Sequence, residues 1–219
     1  MALENVDWSE IVDGTLATLT MLGFSTLFAV LIGLPVGIIL FLTSRGQLLE
    51  NRAFYSAASV VVNVLRSVPF IILMILLIPF TKLIVGTSLG VLGAIPPLVI
   101  GAAPFFARLV ETSLREVDRG VIEAAQSMGA SNWQIVWNVL LPEARSGLIA
   151  AITITTVTLV SYTAMSGVIG GGGLGDLAIR YGYQRFQTDV MIVTVIILLV
   201  LVQILQTLGD RLVLKFSRK

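Results

Sequence analysis

Five stretches of this 219-residue chain are long, apolar and nearly free of charge, and they dictate what it can fold into. Residues 14–44, 83–107, 146–175 and 190–209 carry no Asp, Glu, Lys or Arg, and residues 53–81 carry one, Arg66. A helix of about 20 mostly apolar residues crosses a bilayer. Each stretch therefore reads as a transmembrane helix, with spans near 15–43, 53–80, 88–110, 146–168 and 189–211. The short turn between spans two and three falls in TKLIVGTSLG. The chain reads as one all-α membrane domain over 1–219, with five transmembrane helices and a loop of about 111–145 between spans three and four.

Charge fixes the orientation. Arg45, Arg52, Arg108, Arg115, Arg119, Arg145, Arg211, Lys215, Arg218 and Lys219 fall on one side, against Lys82, Arg180 and Arg185 on the other. Lys and Arg concentrate on the cytoplasmic side, so the C-terminus reads as inside and the acidic N-terminus as outside. That N-terminus lacks the basic opening of a signal peptide. Absent Cys removes disulfide and thiolate chemistry, and absent His removes the commonest base and metal ligand. A net charge of +1 leaves no basic field for nucleic acid.

The loop 111–145 is a polar island. Asp118 is placed to cap a short helix, and Gly129 suits the left-handed position that ends it. Ser131 and Gln134 have the spacing of a capping box for a second helix. Trp133 and Trp137 share a face of it, Leu140 and Leu141 extend that face towards the membrane interface, and Pro142 marks the turn into span four. Ala124 and Ala125 permit close approach of another protein, though a merely solvated loop is an equal reading of the residues alone.

Glu123-Ala124-Ala125, three residues, Gly129, nine residues, then Val139-Leu140-Leu141-Pro142 resembles the EAA loop of bacterial ABC importer permeases. Where the family usually has Ile, this chain has Val139. The resemblance implies the type I importer permease fold, set in the inner membrane. It implies that Glu123, Ala124, Ala125, Gly129, Leu141 and Pro142 form the coupling element docking on an ABC ATPase. LRSVPFIILMILLIPFT and SYTAMSGVIGGGGLGDLAIRYGYQRFQTDVM are similar to the methionine branch, and Arg66-Ser67-Val68-Pro69 stands where polar amino-acid permeases usually have RGTP. The implied function is import of L- and D-methionine. Implied partners are a second copy of the permease, two ATPase subunits carrying the ATP and Mg²⁺, and an extracytoplasmic methionine-binding lipoprotein.

None of Lys82, Lys215 and Lys219 sits in a P-loop, so no ATPase motif is present and no cofactor is expected on this chain. Gly170–Gly175 matches G-x-G-x-x-G formally but follows an apolar span, not a strand, and reads as a tight turn. Beyond it, Arg180, Tyr181, Tyr183, Arg185 and Phe186 read either as an interface for a binding protein or as a lid packed over the spans. An intramembrane charge defaults to function, which makes Arg66 a pathway candidate, but it stands near Pro69 and can instead satisfy carbonyls freed by it or face a partner helix, and that structural role is the favoured reading. In span four, the hydroxyl-rich TTVTLVSYTAMSG either packs or lines a pathway, with Tyr162, Met165 and Ser166 as gate candidates. Such a pathway is expected to avoid permanent charge. A permease for another small solute is the first alternative. An ion-driven carrier is the second, and it would need intramembrane carboxylates, which the five apolar stretches lack.

Overall fold

A computed structural model describes residues 5–217. Arg218 and Lys219 of the charge count, and residues 1–4 of the acidic N-terminal stretch, lie outside the described residues. The described chain is helical, with no strand among those residues.

Helix α1 (Trp8–Thr43) is capped by Asp7, whose carboxylate accepts from Ser9 N at 2.9 Å. It packs along α5 (Gly90–Arg115), and the contact depends on absent side chains. A Cβ on Gly33 would sit 2.7 Å from the Ala103 carbonyl, and one on Gly37 would sit 2.5 Å from that of Ala107. Helices α9 (Arg145–Ser166) and α11 (Thr188–Phe216) complete the bundle, and Gly209 admits Thr153 between them. Four helices are long and apolar enough to cross a membrane, and five spans result when one bent pair counts as a span.

That bent pair corrects the second predicted span. The run 53–80 is not one rod but α2 (Arg52–Ser67), a 101° bend, α3 (Phe70–Leu76) and α4 (Ile78–Val85). Pro69 has no N–H to return to the Leu65 carbonyl and disfavours helix at Val68, which is extended. The expected short turn TKLIVGTSLG is also corrected, since its first half is helical in α4 and the chain reverses at Gly86.

Helix α5 overruns its predicted end and brings a carboxylate into the packed region. Glu111, 1% exposed, accepts from Arg108, from Arg115 and, at 3.0 Å, from the Tyr55 hydroxyl. Arg108 also donates to Ser59 and Asn63, which ties α2 to α5. The expectation that the spans hold no Asp or Glu was therefore too strict. This carboxylate is paired on every side, as a buried charge must be.

Candidate functional site

Three regions carry the residues singled out in the sequence. The first is the loop after α5. Helix α6 (Arg119–Ser127) starts at Asp118, whose Oδ1 accepts from Gly120 N at 2.6 Å. It ends in a Schellman motif. Gly129, at φ 79°, donates to Gln126 O, and Ala130 donates to Ala125 O. Nothing stands within 4 Å of a Cβ at Gly129, so the backbone angle and not space demands glycine.

The two faces of α6 differ. Ile122 and Ala125 are buried in a cluster with Leu114, Ile135 and Leu140, which seats the helix on the bundle. Glu123 and Ala124 point outward. Val121 and Met128 extend the outward face with apolar surface, Met128 being 81% exposed. Their i, i+3, i+7 spacing with Ala124 is the signal in the sequence that marks them.

The second loop helix, α7 (Asn132–Ile135), carries the expected capping box of Ser131 and Gln134. It continues as a π-turn, Val136–Leu140, into α8 (Leu141–Glu143). Trp133 and Trp137 meet edge to face, 5.6 Å between centroids, and both are exposed. Leu140 does not extend their face, because the extra residue of the π-turn rotates it inward, where it is fully buried. Leu141 is half-buried and Pro142 exposed. The break before span four falls at Ala144, not at Pro142.

The second region is a cavity of about 240 Å³ at the α2–α3 bend. Arg66 and Val68 line it from the bend, Phe70 from α3, Gly101 and Phe105 from α5, and Tyr162 from α9. Phe70 and Tyr162 stack in parallel at 4.2 Å. The Arg66 guanidinium lies 5.6 Å from the Phe105 ring centroid, a cation–π contact. Among the described residues it donates to no carbonyl and pairs with no carboxylate, so the carbonyl half of the structural reading of Arg66 does not hold within this chain. Only two of the four gate candidates, Arg66 and Tyr162, come together here. Ser166 is buried and donates to Thr163 O at 2.7 Å, while Met165, 45% exposed, looks out from α9. Thr158 and Ser161 share its side of the helix. Thr153, Thr155, Thr156 and Thr158 each donate back to the carbonyl four residues earlier.

The third region follows α9. Gly170–Gly175 makes a tight re-entrant turn into α10 (Gly173–Leu177), where Leu174 N donates to Thr18 Oγ1 at 2.9 Å. A Cβ on Gly175 would strike the Ala164 carbonyl. These glycines serve close packing over α1 and α9. The π-turn Ala178–Tyr183 follows. Arg180 pairs with Asp176 at 2.9 Å, and Arg180 and Arg185 flank the Tyr181 ring. The Tyr181 hydroxyl donates to Glu10 at 2.8 Å, and that bond to a carboxylate raises the phenol above its ordinary pKa. Tyr183 and Phe186 project outward. Phe186 is 86% exposed at φ 58°, a strained conformation for an aromatic residue. Three of the five residues are thus tied down and two are free knobs.

The geometry defines a class first: a polytopic helical membrane protein with a small helix displayed on one side and a polar cavity at a helix break. Residues 30–218 match the binding-protein-dependent transport system inner membrane component, and the chain belongs to that family. It is the membrane component of a transport system. It is 53% identical over 205 residues to the probable D-methionine transport system permease protein MetI of Vibrio cholerae, covering 94% of this chain and 91% of that one. It is 52% identical over 206 residues to the methionine import system permease protein MetP of Bacillus subtilis, covering 94% and 93%. Among solved structures, an inward-facing MetNI methionine ABC transporter superposes with a TM-score of 0.95 at 48% identity, covering 96% of this chain and 98% of that one.

Proposed function

We propose that the chain forms the translocation pathway of an ATP-driven importer of L- and D-methionine in the bacterial inner membrane, with its N-terminus outside and its C-terminus inside. The observation that carries the reading is the near-complete likeness to two methionine permeases at 52–53% identity. The pathway works as a homodimer, because one bundle leaves Thr158, Ser161 and Met165 on an uncovered face of α9. Two ABC ATPase subunits, which hold the ATP and Mg²⁺, receive the outward face of α6. Glu123, Ala124, Gly129 and Met128 shape that handle, Ala125 seats it, and Leu141 and Pro142 carry its motion towards α9. A methionine-binding lipoprotein docks outside on Tyr183 and Phe186, held in place by the Arg180–Tyr181–Arg185 cluster.

ATP binding draws the two handles together and turns the pathway outward, and hydrolysis resets it. No covalent chemistry occurs on this chain. The test is uptake of labelled amino acids into vesicles holding this chain with its ATPase and binding protein. Methionine uptake that needs ATP and both partners is the expected result. Uptake of another solute with none of methionine would replace the substrate and leave the permease. Uptake driven by an ion gradient without ATP would overturn the whole reading.

A further inference from the structure

We propose that the cavity at the α2–α3 bend is a transient binding site for the solute in transit, with Arg66 taking its α-carboxylate. The inference rests on the reading of the chain as an amino-acid permease. Its first support is depth. Ser113 on α5 packs against Gly147 on α9, which levels the two helices near the cytoplasmic edge marked by Arg115 and Arg145. At 1.5 Å per residue, Phe105 lies about 12 Å above Ser113, and Tyr162 about 22 Å above Gly147. The cavity therefore lies in the middle of a hydrocarbon core about 30 Å thick. A lipid phosphate does not reach that depth.

The second support is the unmet charge. A guanidinium facing lipid at mid-membrane is costly, and among the described residues Arg66 has the Phe105 ring for company but no anion. The solute's carboxylate supplies that anion at the cavity Arg66 itself lines. The third support is chemical fit. An arginine fork matches a carboxylate. The carboxyl end of α2, whose Leu65 carbonyl gets no N–H from Pro69, suits the solute's ammonium group. Phe70, Phe105 and Tyr162 offer apolar walls to an unbranched thioether. Arg66 departs from the expectation that a pathway avoids permanent charge, and Phe105, which competes for the cation, keeps the site weak.

The absence of Cys in this chain supplies the test. Val68→Cys places one thiol at the cavity. The assembled complex, in nanodiscs of neutral lipid, is labelled on this chain with a charged methanethiosulfonate. L-Methionine should slow labelling several-fold, and methioninol, which keeps the amine and thioether but lacks the carboxylate, should not. Adding Arg66→Gln should raise the methionine concentration for half-protection by about tenfold, the worth of a charge-assisted bond, and Arg66→Lys should restore part of it. Equal protection by methionine and methioninol would overturn the site without needing any Arg66 variant. So would absent protection in a complex that takes up methionine. A complex that takes up another amino acid but no methionine overturns the substrate reading instead, and the same comparison with that acid and its alcohol then decides the site.

Discussion

Helix α5 passes two arginine sites barely two turns apart, and they differ in one respect. At the lower site Arg108 and Arg115 close on Glu111, with Tyr55, Ser59 and Asn63 filling the remaining valences. At the upper site Arg66 has Phe105 and an open cavity. Burying an ion is costly unless it is fully paired. A satisfied charge therefore serves the scaffold, while a charge kept unsatisfied needs a partner that comes and goes. The lower site staples α2 to α5, and the upper one is free to work.

The sharpest way to break this contrast is to remove one charge from each site. Glu111→Leu leaves Arg108 and Arg115 facing each other without their anion, and should cost about 3 kcal/mol or more. Folded yield in detergent should collapse and the melting temperature should fall steeply. Arg66→Leu removes a charge that no carboxylate among the described residues answers, so the melting temperature should hold or rise while methionine uptake falls. If both variants melt alike, the distinction between staple and site is wrong.

A second contrast lies within α6, between its seated face and its outward face. Gly129→Val forces a β-branched residue to φ 79°, where the left-handed region costs about 1–2 kcal/mol before the branch is counted. The handle should tilt, and ATP-driven uptake should fall at least tenfold with the helices still inserted. Glu123→Lys changes only the exposed face and should weaken co-purification of the ATPase with little change in melting. Normal transport and normal retention of the ATPase in both variants would remove α6 from the coupling role.

What the sequence disclosed divides along the same line. The α6 region was legible because caps are local: Asp118, Gly129, Ser131 and Gln134 each act within a few residues. The span count was legible from uncharged length. The π-turn at Val136–Leu140 was not, and it moved Leu140 from the predicted interface into the core. Glu111 was hidden because hydropathy ends a span where charge begins, whereas helix α5 carries its charges onward as i,i+3 and i,i+4 pairs. Arg66 was visible as an anomaly, but its lack of a paired anion among the described residues is a long-range fact. Only the packing of α2, α3, α5 and α9 revealed it.

The smallest effects belong to the outer cluster, where tied and free residues stand side by side. Phe186→Gly relieves a strained backbone angle and removes an exposed ring. It should leave melting unchanged or slightly improved while weakening stimulation of the ATPase by the loaded binding protein. Tyr181→Phe should do the reverse, loosening the cluster with little direct loss of docking. Its pH dependence identifies the cause. The bond to Glu10 raises the Tyr181 pKa in the folded protein. Its contribution is therefore full below the ordinary phenol pKa of about 10. It disappears as pH climbs through the raised folded value. The wild type should melt slightly above Tyr181→Phe by a constant margin from pH 6 to pH 9, and the two curves should converge in stronger alkali. A margin that persists unchanged in strong alkali would show that the Tyr181 hydroxyl does not carry the stabilisation, and Tyr181 would then have to join Tyr183 and Phe186 among the free residues.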